Sequence, residues 1–162
     1  MSLRKRYSLP VFLIMGLLAI ASLFIVPSSV AHADTLATLC TYLNSNECIA
    51  TQGTGNQVKL ESSGATLIDF QPSTGTGNYK LKVYNSTHCL TYRTSDNAVT
   101  STDCSPGDDN QRWHESVNGL RATFNIQGVN PIYLGNFDPP ADGKNVWALP
   151  IEANYDYGWI TP

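Results

Sequence analysis

From Asp34 onward, apolar and polar residues alternate in short runs and do not recur at helical spacing. In Tyr79-Lys80-Leu81-Lys82-Val83 the odd-numbered positions are apolar; in Leu120-Arg121-Ala122-Thr123-Phe124-Asn125-Ile126 the even-numbered ones are. A period of two sends successive side chains to opposite faces of a strand. The second run therefore predicts a strand with Leu120, Ala122, Phe124 and Ile126 on one buried face. Turn-forming clusters separate such runs: Asn44-Ser45-Asn46, Ser73 to Gly77, Asn85-Ser86-Thr87, Pro106-Gly107-Asp108-Asp109 and Pro139 to Gly143. Short strands broken this often by Gly, Asn and Pro predict an all-β sandwich or barrel.

An internal repeat narrows the architecture. Cys48-Ile49, Cys89-Leu90 and Tyr133-Leu134 begin equivalent segments, 41 and 44 residues apart. Each follows a strand and a tight turn: Tyr42 to Asn46, Val83 to Thr87, and Ile126 to Asn130. Downstream come Gly55-Asn56-Gln57-Val58, Asp96-Asn97-Ala98-Val99 and Gly143-Lys144-Asn145-Val146. Each segment closes on an aromatic residue, Phe70, Trp113 or Trp159, spaced 43 and 46 apart. A four-strand unit of about 40 residues cannot cover its own apolar face, whereas such units set around an axis share one closed core. Phe70, Trp113 and Trp159 are thus expected as central core anchors, and Cys40 is expected at the inward place held by Leu81 and Phe124. The segments are read as 34–76, 77–118 and 119–162 of a single domain spanning 34–162.

The residues before that domain change where the chain is expected to work. Arg4, Lys5 and Arg6 precede a nearly unbroken apolar run from Val11 to Val26, then Pro27-Ser28-Ser29, then Ala31-His32-Ala33. A basic start, an apolar stretch too short for a bilayer span of about 20 residues, and a small-x-small site predict a signal peptide, residues 1–33, cleaved after Ala33. The chain is then secreted, with no stable membrane association after cleavage. Cleavage removes three of ten basic residues and none of thirteen acidic ones, so the net charge falls from −3 to −6. An acidic surface without a Lys/Arg cluster excludes nucleic acid and anionic membranes as partners. All four cysteines are in the exported part, where disulfides persist. Three pairings exist, and the short separations favour Cys40 with Cys48 and Cys89 with Cys104. Free thiols or a metal site are the alternatives; the absence of CxxC spacing, with only His88 and His114 nearby, speaks against zinc.

Cys89-Leu90, Asn97-Ala98-Val99, Cys104 and Asn110-Gln111-Arg112-Trp113 together resemble one subdomain of the ricin-type β-trefoil lectins, whose mark is a Cys-Leu, a second Cys and a Gln-x-Trp. The resemblance spans the exported chain unevenly. The first segment has Ser63 at the second cysteine position and Ile68-Asp69-Phe70 in place of Gln-x-Trp; the third has Tyr133-Leu134, Ile151 and Tyr157-Gly158-Trp159. It implies a β-trefoil, a Cys89–Cys104 bridge within the second repeat, and sugars as the ligand class. In the family a carboxylate directly after Cys-Leu and an aromatic two residues before the second cysteine hold the sugar. Here those places hold Ala50, Thr91 and Gly135, and Glu61, Thr102 and Leu149. Only the amide end is kept, as Asn110 and Gln111, and Gln111 is better suited to holding the turn than a ligand.

A displaced sugar site needs the same chemistry: a ring face to stack on sugar C–H groups and a carboxylate to accept paired hydroxyls. Asn136, Phe137 and Asp138 with Trp147, and Tyr155 close by, supply it in the third segment; Tyr92 with Asp96, Asp108 and Asp109 supplies it in the second. Asp138-Pro139-Pro140 also reads as a rigid turn, Trp147 as core, and the acids of the second segment as a solvated turn. Asn85-Ser86-Thr87 matches the glycan-acceptor pattern. Two classes follow: a secreted lectin-like carbohydrate-binding module with divergent pockets, or a trefoil that has lost sugar binding and engages a glycosylated or other extracellular protein as inhibitor-like trefoils do. The chain is read as a monomer without cofactors. It is not read as an enzyme, because no nucleophile motif, phosphate loop or metal signature occurs in it.

Overall fold

The computed structural model describes residues 35–126, 132–151 and 155–161; the predicted signal peptide and the Gln127 to Asn130 turn lie outside them. Fourteen strands form one sheet system. The first stretch carries β1 (Leu36–Ala37), β2 (Cys40–Thr41), β3 (Cys48–Ala50), β4 (Lys59–Glu61) and β5 (Ile68–Pro72). The second carries β6 (Asn78–Val83), β7 (His88–Arg93), β8 (Ala98–Asp103) and β9 (Trp113–Asn118), with a short 3-10 turn at Asp109–Gln111. The third carries β10 (Arg121–Ile126), β11 (Ile132–Phe137), β12 (Trp147–Pro150), β13 (Tyr155–Asp156) and β14 (Trp159–Ile160). All pairings are antiparallel, and no helix among the described residues is long and apolar enough to cross a membrane.

Register decides which residues are equivalent. Cys40 faces Cys48, Lys82 faces Cys89 and Asn125 faces Tyr133. Cys40 therefore matches Lys82 and Asn125, and Leu39 takes the inward place with Leu81 and Phe124; all three of those are 0% exposed. The expectation for Cys40 is corrected by one residue. Cys40 is buried because its bridge to Cys48 crosses directly to the facing strand, and Cys89 is likewise bonded to Cys104.

A second correction concerns the aromatic anchors. Trp113 faces Tyr79 on one side and Ile126 on the other; Trp159 faces Ala122 and Thr41. Ile68, facing Ala37 and Val83, holds the corresponding place, and Phe70 lies two residues beyond it. Because the side-chain period is two, that shift leaves Phe70 inward. It is fully buried, with its ring 5.9 Å from Phe124 and 6.1 Å from Tyr79. The indole N–H groups explain what the tryptophans add. Trp113 Nε1 donates to the Leu90 carbonyl and Trp159 Nε1 to the Leu134 carbonyl, both at 2.9 Å. Ile68 has no such donor, and the matching Ile49 carbonyl accepts from the Thr66 main-chain N–H at 2.8 Å.

Leu120 is also corrected. The strand starts at Arg121, and Leu120 falls in the two-residue turn with Gly119, whose φ of +64° suits the tight hairpin. Leu120 is 88% exposed, while Ala122, Phe124 and Ile126 are buried as expected.

The three downstream markers meet. Val58 N–H donates to the Val99 carbonyl (2.8 Å), Val99 N–H to the Val146 carbonyl (3.3 Å), and Val146 N–H to the Val58 carbonyl (2.8 Å). The cycle joins the β3–β4, β7–β8 and β11–β12 hairpins over the core, and all three side chains are fully buried.

Trp159→Phe keeps a ring in the core but leaves the Leu134 carbonyl without its donor. We expect a loss of about 1–3 kcal/mol in urea unfolding, and an unchanged midpoint would show that the indole bond contributes nothing. Leu120→Ser should stay within about 0.5 kcal/mol of wild type, whereas Leu39→Ala should cost about 2–5 kcal/mol. The reverse order would restore Leu120 to the buried face.

Candidate functional site

In the second segment the lectin positions are closed on themselves. Thr91 and Thr102 hydroxyls lie 2.6 Å apart, and Gln111 Nε2 donates to both, at 3.1 and 3.2 Å, and to the Asp103 carbonyl at 2.8 Å. Gln111 Oε1 accepts from the Ser105 N–H (2.8 Å) and Lys80 Nζ (3.5 Å). Gln111 is 1% exposed, so its amide holds the loop leading into Trp113. The remaining candidates here are engaged locally. Tyr92 is buried and donates its hydroxyl to Asn97 Oδ1 at 2.9 Å. Asp96 accepts two bonds from Arg93, at 2.8 and 2.7 Å, and these hold its carboxyl below the usual range. The Asn110 main-chain N–H donates to the Asp108 carboxylate at 2.9 Å, capping the 3-10 turn.

The first segment gathers acids. Glu61 faces Cys48 as Thr102 faces Cys89 and Leu149 faces Tyr133, so a carboxylate stands where the family places its aromatic. Nearby Glu47 is 7% exposed, and its Oε2 has no partner. Burial, then the charges of Asp142 and Glu61, push its carboxyl above the usual range. Asp142 is instead stabilised as the anion by the Ser62 N–H (2.8 Å) and hydroxyl (3.1 Å). Ala50 is buried, and neither β3 nor β4 carries an aromatic residue to stack on a sugar. Among the described residues no group of three or more His, Cys, Asp or Glu is arranged to hold a metal.

The third segment differs in kind. A Cβ built at Gly135 would lie 2.7 Å from the Asp156 carbonyl oxygen and 3.0 Å from the Tyr157 ring. No carboxylate can stand there, because β13 and Tyr157 already cover the place. Tyr157 occupies the position that Gln111 holds in the second segment, donates its hydroxyl to the Pro150 carbonyl and packs edge-on against Tyr133, 5.8 Å away. The usual pocket is filled by a ring.

Outside it, the same strands raise an aromatic surface. Phe137 pairs across to Tyr155 and Gly135 to Trp147. Phe137 lies 4.6 Å from the Tyr155 ring and 6.1 Å from Trp147, and Tyr155 lies 6.0 Å from Tyr157. Phe137 is 42% exposed, Trp147 and Tyr155 are partly buried, and Asp138 next to them is exposed. Lys144 Nζ donates to the Pro139 carbonyl at 2.7 Å, fixing the turn that carries Asp138. Asn136 is fully buried: Nδ2 donates to the Phe137 carbonyl at 3.0 Å and Oδ1 has no partner, so it serves the strand from behind rather than presenting an amide to a ligand.

Of the candidates read from the sequence, Phe137, Asp138 and Trp147 thus lie together, and Tyr92, Asp96 and Gln111 have partners of their own. Asp156 and Tyr157 escaped the sequence reading as shapers of this region. The one available signal was an aromatic residue at the interior glutamine position, three residues before Ile160.

No family model matches the chain, and no curated protein does. Its likeness is to solved structures. The designed 3-fold symmetric protein ThreeFoil superposes with a TM-score of 0.64 at 19% identity, over 76% of this chain and 95% of that one. A Polyporus squamosus lectin, bound to a human-type influenza-binding epitope, gives 0.64 at 14% identity over 78% of this chain and 48% of the lectin. A mosquitocidal holotoxin gives 0.68 at 13% identity over 78% of this chain and 17% of the toxin. Identities this low speak for the fold alone. The chain has an all-β fold resembling a β-trefoil, and it spans less than half of the lectin and of the holotoxin just named.

Proposed function

We propose that the chain is a secreted, lectin-like carbohydrate-binding module, a three-repeat β-trefoil exported by residues 1–33 and cleaved after Ala33. Sugar binds on the outer aromatic surface of the third repeat and not in the family's usual pockets. The observation that carries this reading is the contiguous set Phe137, Tyr155 and Trp147 beside the exposed Asp138 carboxylate. An accessible ring face supplies the apolar contact that sugar C–H groups need, and an unpaired carboxylate accepts hydroxyl pairs with charge-assisted hydrogen bonds. Two rings held edge-on behind Phe137 limit its freedom, so little conformational entropy is lost when a ligand stacks on it. A shallow surface of this kind fits weak, multivalent recognition of extended glycans.

The second reading is a secreted interaction module that binds another extracellular protein. The closed Thr91–Thr102–Gln111 cluster favours it, since it removes one of the usual sugar pockets.

A glycan array followed by titration of the best hit separates the two. On the lectin reading Phe137→Ala weakens binding about tenfold, with thermal stability close to wild type, and Asp138→Asn weakens it further. Flat binding across the array, or full affinity in Phe137→Ala, would falsify the aromatic-surface assignment.

A further inference from the structure

Arginine pairing is uneven among the described residues. Arg93 is bonded to Asp96 and Arg112 to Asp109, each three residues away on its own loop. Arg121 has no carboxylate partner, although the chain carries more acids than bases. It sits at the start of β10, facing Asn118 across the β9–β10 hairpin.

Its side chain is nonetheless held in place. The guanidinium carbon lies 5.8 Å from the centre of the Tyr42 ring, within cation–π reach. It also runs over Gly158: a Cβ there would lie 2.4 Å from Arg121 Nε, 2.8 Å from Tyr42 Cβ and 3.0 Å from Arg121 Cδ, so a larger residue would push against both side chains. Arg121 Nε is buried against this glycine without an acceptor. A buried unpaired donor is destabilising, so Nε is held there at a cost to the fold. A slot built for a guanidinium that meets no acid is a different matter from a solvated surface arginine.

Arg121 also lines a depression of about 270 Å³ with Ser116, Asn118, Thr123 and Val117. Ser116 faces Thr123 and Asn118 faces Arg121, so period two puts these four polar side chains on one face of the hairpin. The face offers a fixed planar cation, the Ser116 hydroxyl and an amide, and no carboxylate; the Thr123 hydroxyl donates to the Ser116 carbonyl at 3.3 Å and is left as an acceptor for a sugar hydroxyl. That set suits a ligand with one oxyanion surrounded by hydroxyl groups. A net charge of −6 outside the signal peptide repels densely charged polymers, so a single anionic group is favoured over a polyanion.

We infer that this depression is a second binding site, which takes the carboxylate or sulfate of an acidic saccharide on Arg121. The saccharide carrier rests on the glycan reading above; the oxyanion does not. The site is separate from the Phe137 surface and shares no residue with it.

Titrations followed by amide and arginine Nε–Hε NMR signals test it, using methyl α-D-glucuronide, methyl α-D-glucoside and sodium sulfate with the full secreted chain. The uronide should shift Arg121 Nε–Hε and the amides from Ser116 to Thr123, and bind about tenfold tighter than the glucoside. Sulfate should shift the same signals and compete with the uronide. Arg121→Met should erase the preference for the uronide while the remaining spectrum stays folded, and Arg121→Lys, which keeps the charge without the planar fork, should restore only part of it. Phe137→Ala should leave the preference intact. Equal affinities for uronide and glucoside, or a preference that survives Arg121→Met, overturn the inference. Sulfate binding without any uronide preference overturns the acidic-sugar assignment. If neutral glycans fail to bind while the uronide preference holds, the Phe137 surface is wrong and this site stands.

Discussion

Three main-chain hydrogen bonds, passing from Val58 to Val99 to Val146 and back to Val58, tie three hairpins to one another over the core. Their order is cyclic, so each valine gives one bond and receives one. Removing any member leaves a donor on one neighbour and an acceptor on the other unpaired in a dry interior, where each orphan costs about 1–3 kcal/mol. The cycle can therefore form only when all three hairpins are in place and in register. Everything outward of it, including the turn that carries Asp138 and the strand that carries Phe137, is positioned by that requirement. β-Branched valine fits because it fills the centre in an extended backbone without a polar atom of its own.

Period two explains both what the sequence disclosed and what it withheld. Inward and outward faces were legible, so Phe124, Ile126, Leu81 and the two tryptophans fell where alternation put them. Register was not legible. Phe70 and Ile68 have the same parity, and only the facing residues Val83 and Ala37 show which of them matches Trp113. Cys40 and Leu39 differ by one, and counting back from Cys48 and Cys89 picks Cys40 because the turn after it is one residue longer than the turn after Lys82. Leu120 extends an apolar pattern into a turn because alternation carries no mark for where a hairpin folds back; Gly119 was that mark. At the site, the missing acids and rings were visible from the residues at Thr91, Gly135, Thr102 and Leu149. The filling of the third pocket was not, because it depends on the absent Cβ of Gly135 meeting Tyr157, which follows it by more than 20 residues and reaches it only through β13.

The fates of the second and third pockets follow from one physical choice. A sugar site leaves polar groups to water in the free protein, so that a ligand can take water's place. Thr91, Thr102 and Gln111 satisfy one another instead, which favours the folded state and leaves no unused hydrogen-bonding capacity for hydroxyls. Tyr157 reaches the same end by filling volume. Its insertion has a consequence on the outer side: β13 adds to the edge of β11 and brings Tyr155 against Phe137. Closing the pocket and building the aromatic surface are thus two results of one strand pairing.

Among the described residues, Arg93 and Arg112 pair with aspartates three residues away. Arg121 has no such carboxylate. A guanidinium could gain a surface ion pair at little cost, yet such pairs contribute only about 0–1 kcal/mol, so there is little pressure to supply an aspartate. Gly158 fits beneath it because a Cβ there would lie 2.4 Å from Arg121 Nε and 2.8 Å from Tyr42 Cβ, so the bare glycine lets both side chains lie where they do. A guanidinium held against Tyr42 with its Nε buried is a preorganised fork, and on the inference drawn above it loses less entropy when an oxyanion arrives.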